Sequence, residues 1–233
     1  MRNRQHATAL TALALAALPA LAACGDRPGK EDDDGAAPGA AGIGAEAPAP
    51  DTARPPADTG TLVVAGKPET LAFRLYESPA DFPLRFSTYV PEDVIVETTS
   101  VEGRDAVRFT GTYNGARVDD EFLWVLFYPV GTPETDARRA ADEIARARGG
   151  TPVPGRNRRY PWSLAEYELA LGQPPARLLG TLALGRHAGR YFHLVIAYPE
   201  RERDRFLPRA HRILDEWRWK GTGKRSLGAV PGA

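Results

Sequence analysis

Between residues 122 and 128 the chain reads Phe-Leu-Trp-Val-Leu-Phe-Tyr, apolar at every position. Successive side chains of a strand point to opposite faces, so such a run is buried on both sides and something must cover each. Residues 191–198 are also largely apolar on both faces and predict a second central strand. The turn before the first run is marked by Asn114-Gly115, the pair that a two-residue type I′ hairpin favours, because both central residues need positive φ. That turn sets Tyr113 opposite Ala116. Continued without a slip, the register sets Val107 opposite Phe122 and Arg108 opposite Glu121, an apolar pair and an ion pair.

Other strands are expected at 62–65, 71–76, 84–89 and 94–99, and at 163–171 and 177–184, the last two joined across Gln173-Pro174-Pro175. The segment 177–184 turns back into 191–198 across 185–190. Helices supply the cover. Thr132-Pro133-Glu134 reads as a capping residue, a proline at the first helical position and an acid. Ala137, Ala140, Ala141 and Ile144 then line one face, and Gly149-Gly150 ends the helix. In a last helix Phe206, Ala210, Ile213, Leu214 and Trp217 recur at helical spacing, with Pro208 in its first turns. The sum is an α+β domain over 61–220: a mostly antiparallel sheet with helices on both faces. Residues 221–233 lack apolar periodicity and are expected to be a flexible tail.

This element order, the proline-flanked strand 86–90 and the ending Tyr198-Pro199 to Trp217-Arg218-Trp219 resemble the PsbP family of photosystem extrinsic subunits, bacterial lipoprotein relatives included. The resemblance spans about residues 71–219. It implies an α/β/α sandwich, and a domain that binds other proteins or assists assembly without one shared catalytic site.

The first residues carry Arg2 and Arg4 and no acid, and 7–21 is almost all Ala and Leu. That run of roughly 15 residues is shorter than the ~20 that a membrane-spanning helix needs, so 1–23 reads as an export signal. Leu21-Ala22-Ala23-Cys24 resembles the lipobox of bacterial lipoproteins, and Cys24 is the chain's one cysteine. The resemblance implies a diacylglyceryl group on Cys24, cleavage just before it, and attachment to a membrane by lipid. The alternative is an ordinary secretory signal with an incidental cysteine. By the enterobacterial sorting rule, Gly25 after the cysteine favours the outer membrane, facing the periplasm, where the host has two membranes. Otherwise the outer face of the cytoplasmic membrane is expected.

From 24 to 60 the chain is Ala, Gly, Pro and Asp, with eight acidic residues against three basic ones. It cannot bury enough apolar surface to offset its ordering entropy and is expected to be a disordered tether, with a reach of about 30–35 Å. The domain holds 23 basic and 22 acidic residues. That balance, together with export, argues against nucleic acid as a partner.

No phosphate loop, Gly-x-Ser-x-Gly elbow, His-Glu-x-x-His or cysteine pair occurs. No cofactor or metal site is expected. Glu166 and Glu168 share one side of a strand, as paired acid–base carboxylates would, although a solvated outer face is the better account of them. His193 is expected to be buried and hydrogen-bonded, and His211 to face solvent. The basic residues Arg156, Arg158 and Arg159 lie near Tyr160 and Trp162. If residue 163 pairs beside 184, the turn bearing Arg186, His187 and Arg190 lies at the same end. These eight residues form a candidate rim for an anionic partner: an envelope protein, an acidic glycan or a lipid headgroup. The expected function is therefore non-enzymatic partner binding or assembly by a lipid-anchored envelope protein. The alternatives are an envelope-polymer hydrolase or transferase using Glu166 or Glu168, and a small-molecule carrier, which would need a cavity lined by residues such as Trp124, Phe192 and Trp217 that are expected instead to fill the core.

Overall fold

The computed structural model describes residues 54–101, 103–221 and 227–228. Strands β1 (Ala57–Val64), β2 (Lys67–Glu77) and β3 (Phe86–Pro91) lead to β4 (Val94–Val101), β5 (Arg104–Tyr113) and β6 (Ala116–Phe127). Helix α1 (Glu134–Ala147) precedes β7 (Thr151–Pro152), β8 (Ala165–Leu171), β9 (Leu178–His187) and β10 (Arg190–Pro199), and α2 (Arg203–Asp215) and β11 (Arg218–Trp219) follow. Every strand pairing is antiparallel. The fold is α+β, as the element order implies.

The strands divide into two sheets, which the sequence did not reveal. Seven run in the order β4-β5-β6-β10-β9-β8-β7, and four in the order β1-β2-β3-β11. The chain changes sheet at Pro91, which has no N–H with which to continue a ladder. Of the two long central strands, β6 sends Leu123, Val125 and Phe127 into one core with Phe192, Leu194 and Ile196 of β10 and the apolar face of α2. Phe122, Tyr191, Val195 and Ala197 face the other core, beneath α1. Both faces of the apolar run are thus covered. The second sheet joins α2 on its side, where Trp217 stacks on Phe86 with ring centroids 3.7 Å apart. The other helix buries Ala137, Ala141 and Ala145, small residues that let its backbone settle close to the sheet. Its first turn differs by one residue from expectation. Pro133 is the flanking residue, and the Thr132 hydroxyl donates back to the Pro129 carbonyl.

Three expectations need correction. The hairpin turn holds, with Tyr113 opposite Ala116, but a bulge beyond Thr112 shifts the register, so that Val107 faces Val125 and Arg108 faces Trp124. The cause is Glu121, fully buried, which turns inward to an ion pair with Arg205 at 2.6 Å. Gly111 makes room: a Cβ there would lie 3.1 Å from the Glu121 carboxylate and 3.0 Å from the Tyr113 hydroxyl. Arg108 instead lies 4.3 Å over the Phe122 ring. Next, the expected tether 24–60 overlaps the domain, because β1 begins at Ala57. Even Arg54 is anchored, donating to the Glu216 carboxylate at 2.8 Å and to the Glu216 carbonyl at 3.0 Å. Finally, Leu227 of the expected flexible tail is buried in the core with Trp217 and Trp219. The leader 1–23, Cys24 and the stretch to residue 53 lie outside the described residues.

Candidate functional site

The end of the larger sheet that carries the predicted rim is built by two hairpins. Strand β8 pairs with β9 so that Ala165, not residue 163, lies opposite Leu184. The two-residue offset preserves which face each side chain takes. The next hairpin turns at Ala188 and Gly189, both with positive φ, and sets Arg190 opposite His187. The loop before β8 therefore lies beside this turn. Trp162 packs over Gly185, where a Cβ would stand 2.7 Å from the indole, and its ring lies 5.3 Å from Phe192.

The eight candidate residues do not form one rim. Tyr160 is buried, with its ring 5.2 Å from that of Trp162, so the aromatic pair anchors the loop and does not edge a binding surface. Arg158 donates to the Ser163 carbonyl at 2.8 Å, and Arg159 pairs with Glu168 at 3.5 Å. Arg190 reaches the Tyr128 carbonyl at 3.4 Å. His187 stacks on Trp219 at 4.6 Å, on the α2 side, and burial lowers its pKa. Arg186 lies 5.4 Å over Tyr191, on the α1 side. Arg156 and Arg186 are the exposed cations of the set.

The two carboxylates part company as well. Glu168 is exposed, as expected, but Glu166 is buried. Its oxygens accept the backbone N–H groups of Arg159 and Tyr160 at 3.1–3.2 Å and face the Ser163 hydroxyl at 3.5 Å. Glu166 is the post around which the loop 155–163 is wound.

His193 is buried as expected. Its Nδ1 lies 3.1 Å from the Tyr128 hydroxyl, while Nε2 has no hydrogen-bond partner. Burial, reinforced by the Arg104 and Arg148 charges, pushes its pKa down to about 3. Trp124 packs edge-on to His193 on the α1 side, whereas Phe192 and Trp217 belong to the opposite core. The three aromatics proposed to line a carrier cavity thus do not meet.

Sequence patterning missed the larger sites. One is the cluster around Glu121: Arg205 lies 3.7 Å over the Tyr113 ring, and the nearly buried Arg209 reaches Asp93 at 2.8 Å and Glu69 at 3.4 Å. The other is a groove of about 450 Å³ between the β1–β2 turn and α2, lined by Val63, Gly66, Arg203, Leu207, Pro208 and His211. Pro208 helps to build it. Without an N–H, Pro208 leaves the Asp204 carbonyl open, and the Ala65 N–H donates to that carbonyl at 3.3 Å. This bond ties the turn to the helix. His211, expected at the surface, is partly buried against the groove, and desolvation followed by the Arg159 charge lowers its pKa. The legible signal was Pro208, a proline inside a helix that has a use for the carbonyl it releases.

No family model and no curated protein sequence matches the chain. Among solved structures it is similar to cyanobacterial PsbP (CyanoP) from Synechocystis sp. PCC 6803, determined in solution. The two are 14% identical, with 63% of this chain and 92% of that one covered and a TM-score of 0.38. The α+β assignment rests on the strands and helices described above.

Proposed function

We propose that the chain is a lipid-anchored cell-envelope protein whose folded domain acts by binding a partner. The observation that carries the proposal is Cys24, the sole cysteine, directly after Leu21-Ala22-Ala23 and a short apolar leader. Two or three acyl chains, at about 0.8 kcal/mol per buried CH₂, give a stable anchor. No helix among the described residues is long and apolar enough to cross a membrane. An attached domain then depends on its lipid. Gly25 favours the outer membrane in a two-membrane host.

Binding is supported over catalysis by the fate of the candidate acid–base groups. Glu166 is committed to its loop, and Glu168 is exposed beside Arg159. The partner side is best served by Arg156 and Arg186, exposed guanidinium groups suited to carboxylate or phosphate on an acidic envelope protein, glycan or lipid headgroup. The test is crosslinking in cells, followed by mass spectrometry of captured species, for the wild type and for Arg156→Ser/Arg186→Ser. A defined species lost in the variant supports the proposal. Equal capture by both chains removes these arginines from the site.

A further inference from the structure

Antiparallel sheets leave edges whose outward N–H and C=O groups attract other strands, and proteins blunt such edges with short strands, proline, charge or cover. Three of the four edges here are blunted. Strand β7 is two residues long and contains Pro152. Strand β11 is also two residues long. Strand β1 is held against α2, through Asp58 with Arg212 at 3.5 Å and the Ala65 N–H on the Asp204 carbonyl.

The fourth edge, β4, carries a single charge, Glu97, and is otherwise without these devices. It is eight residues long, reads Val-Ile-Val-Glu-Thr-Thr-Ser-Val, and contains neither proline nor lysine. Its inner side pairs with β5 along its whole length. Its first residue is occupied, since the Val94 carbonyl accepts from Arg74 at 2.7 Å. Beyond it Ile95, Thr98, Thr99 and Ser100 are exposed. The strand's one charge is answered from within the chain, by Arg117 on Glu97 at 2.6 Å. An extended, β-branched, internally neutralised edge is a template for strand addition.

We propose that β4 pairs antiparallel with β4 of a second copy of this chain, about a two-fold axis at Thr98. This register keeps the strand's one charge off its own copy. Centred on Thr98, it sets Glu97 opposite Thr99, Val96 opposite Ser100 and Ile95 opposite the backbone at 101. Centred one residue earlier, it would set Glu97 against its own copy, and like charges directly opposite are destabilising. Seven facing residue pairs supply roughly six to eight backbone hydrogen bonds, since alternate pairs exchange two. An isologous contact of this kind closes on itself, so it yields a dimer and not a fibre. The two seven-stranded sheets become one continuous sheet.

The experiment adds one cysteine at a time to the full chain, expressed in cells and treated with a mild oxidant, with the wild type as the control for Cys24. Thr98→Cys places two thiols directly across the axis, within the separation a disulfide spans, whereas Ser100→Cys places them on opposite sides of it and too far apart. The expected result is a disulfide-linked species of twice the chain's mass for Thr98→Cys and none for Ser100→Cys or the wild type. A second variant, Thr98→Lys, sets two ammonium groups against each other at the axis. It should abolish capture of dimer by an amine-independent crosslinker while leaving the circular dichroism spectrum unchanged. Absence of the Thr98→Cys dimer, an equal yield from Ser100→Cys, or crosslinked dimer persisting in Thr98→Lys would each overturn the proposal.

Discussion

A buried imidazole with one of its two nitrogens unpaired is tolerated only while neutral. His193 is such a group, with its pKa depressed to about 3 against an ordinary value of 6.5. The folded state therefore binds fewer protons than the unfolded chain between those values. Stability is unaffected by this group above about pH 6.5, and falls as the pH drops from there toward 3, by up to ~1.4 kcal/mol per pH unit. His187 and His211, also lowered, contribute in the same direction. The difference in urea-unfolding free energy between wild type and His193→Gln, followed from pH 7 to 4, isolates the buried residue. The variant should lose less stability on acidification. Glu121 gives a second expectation. Removing one partner of a buried ion pair costs about 3–5 kcal/mol, less where the other partner can reach water. Arg205 is partly exposed, so Glu121→Ala should cost about 2–3 kcal/mol in the same assay. The burial of His193 was legible in the apolar strand around it, but that of Glu121 was not. Asp119-Asp120-Glu121 has the composition of a wet turn, and only Gly111, on the neighbouring strand, shows that one of the three goes inside.

At the level of elements, local rules located the strands and helices but not the slips between them. The Asn114-Gly115 turn was legible because it depends on two residues, whereas the bulge beyond it depends on where Glu121 finds a cation in α2, 84 residues away. The same limit applies to Glu166. Alternation placed it on the side of β8 that carries Glu168, but no periodicity shows that a loop folds back to donate two amides to it. A hydrogen bond to a charged group contributes about 1.5–3 kcal/mol. In Glu166→Ala, hydrogen exchange at the Arg159 and Tyr160 amides should accelerate, while the exchange of β9 and β10 amides keeps its order. Unchanged protection at those two amides would show that the loop is held by Trp162 and Tyr160 packing alone.

For the whole molecule, apolar patterning indicated an α+β fold with a central strand covered on both faces, because a run like 122–128 admits little else. The division into two sheets was hidden, since it depends on which strands meet and not on any strand's own pattern. The ends of the domain were also hidden. Arg54 is held by Glu216, and Leu227 is buried in the same core as Trp217 and Trp219, although neither residue lies in an apolar run. Removing residues 221–233 exposes that core and should lower stability by about 1.5–3 kcal/mol, the value of one buried leucine, measured by chemical denaturation. The proposed placement of this domain depends on the other end of the chain. Labelled palmitate, fed to cells expressing the wild type and Cys24→Ser, tests it most directly. Lipid anchoring at Cys24 predicts label on the wild-type chain, recovery of that chain with membranes, and neither modification nor cleavage at residue 24 in the variant. An unlabelled wild-type chain found free in the soluble envelope fraction would contradict it.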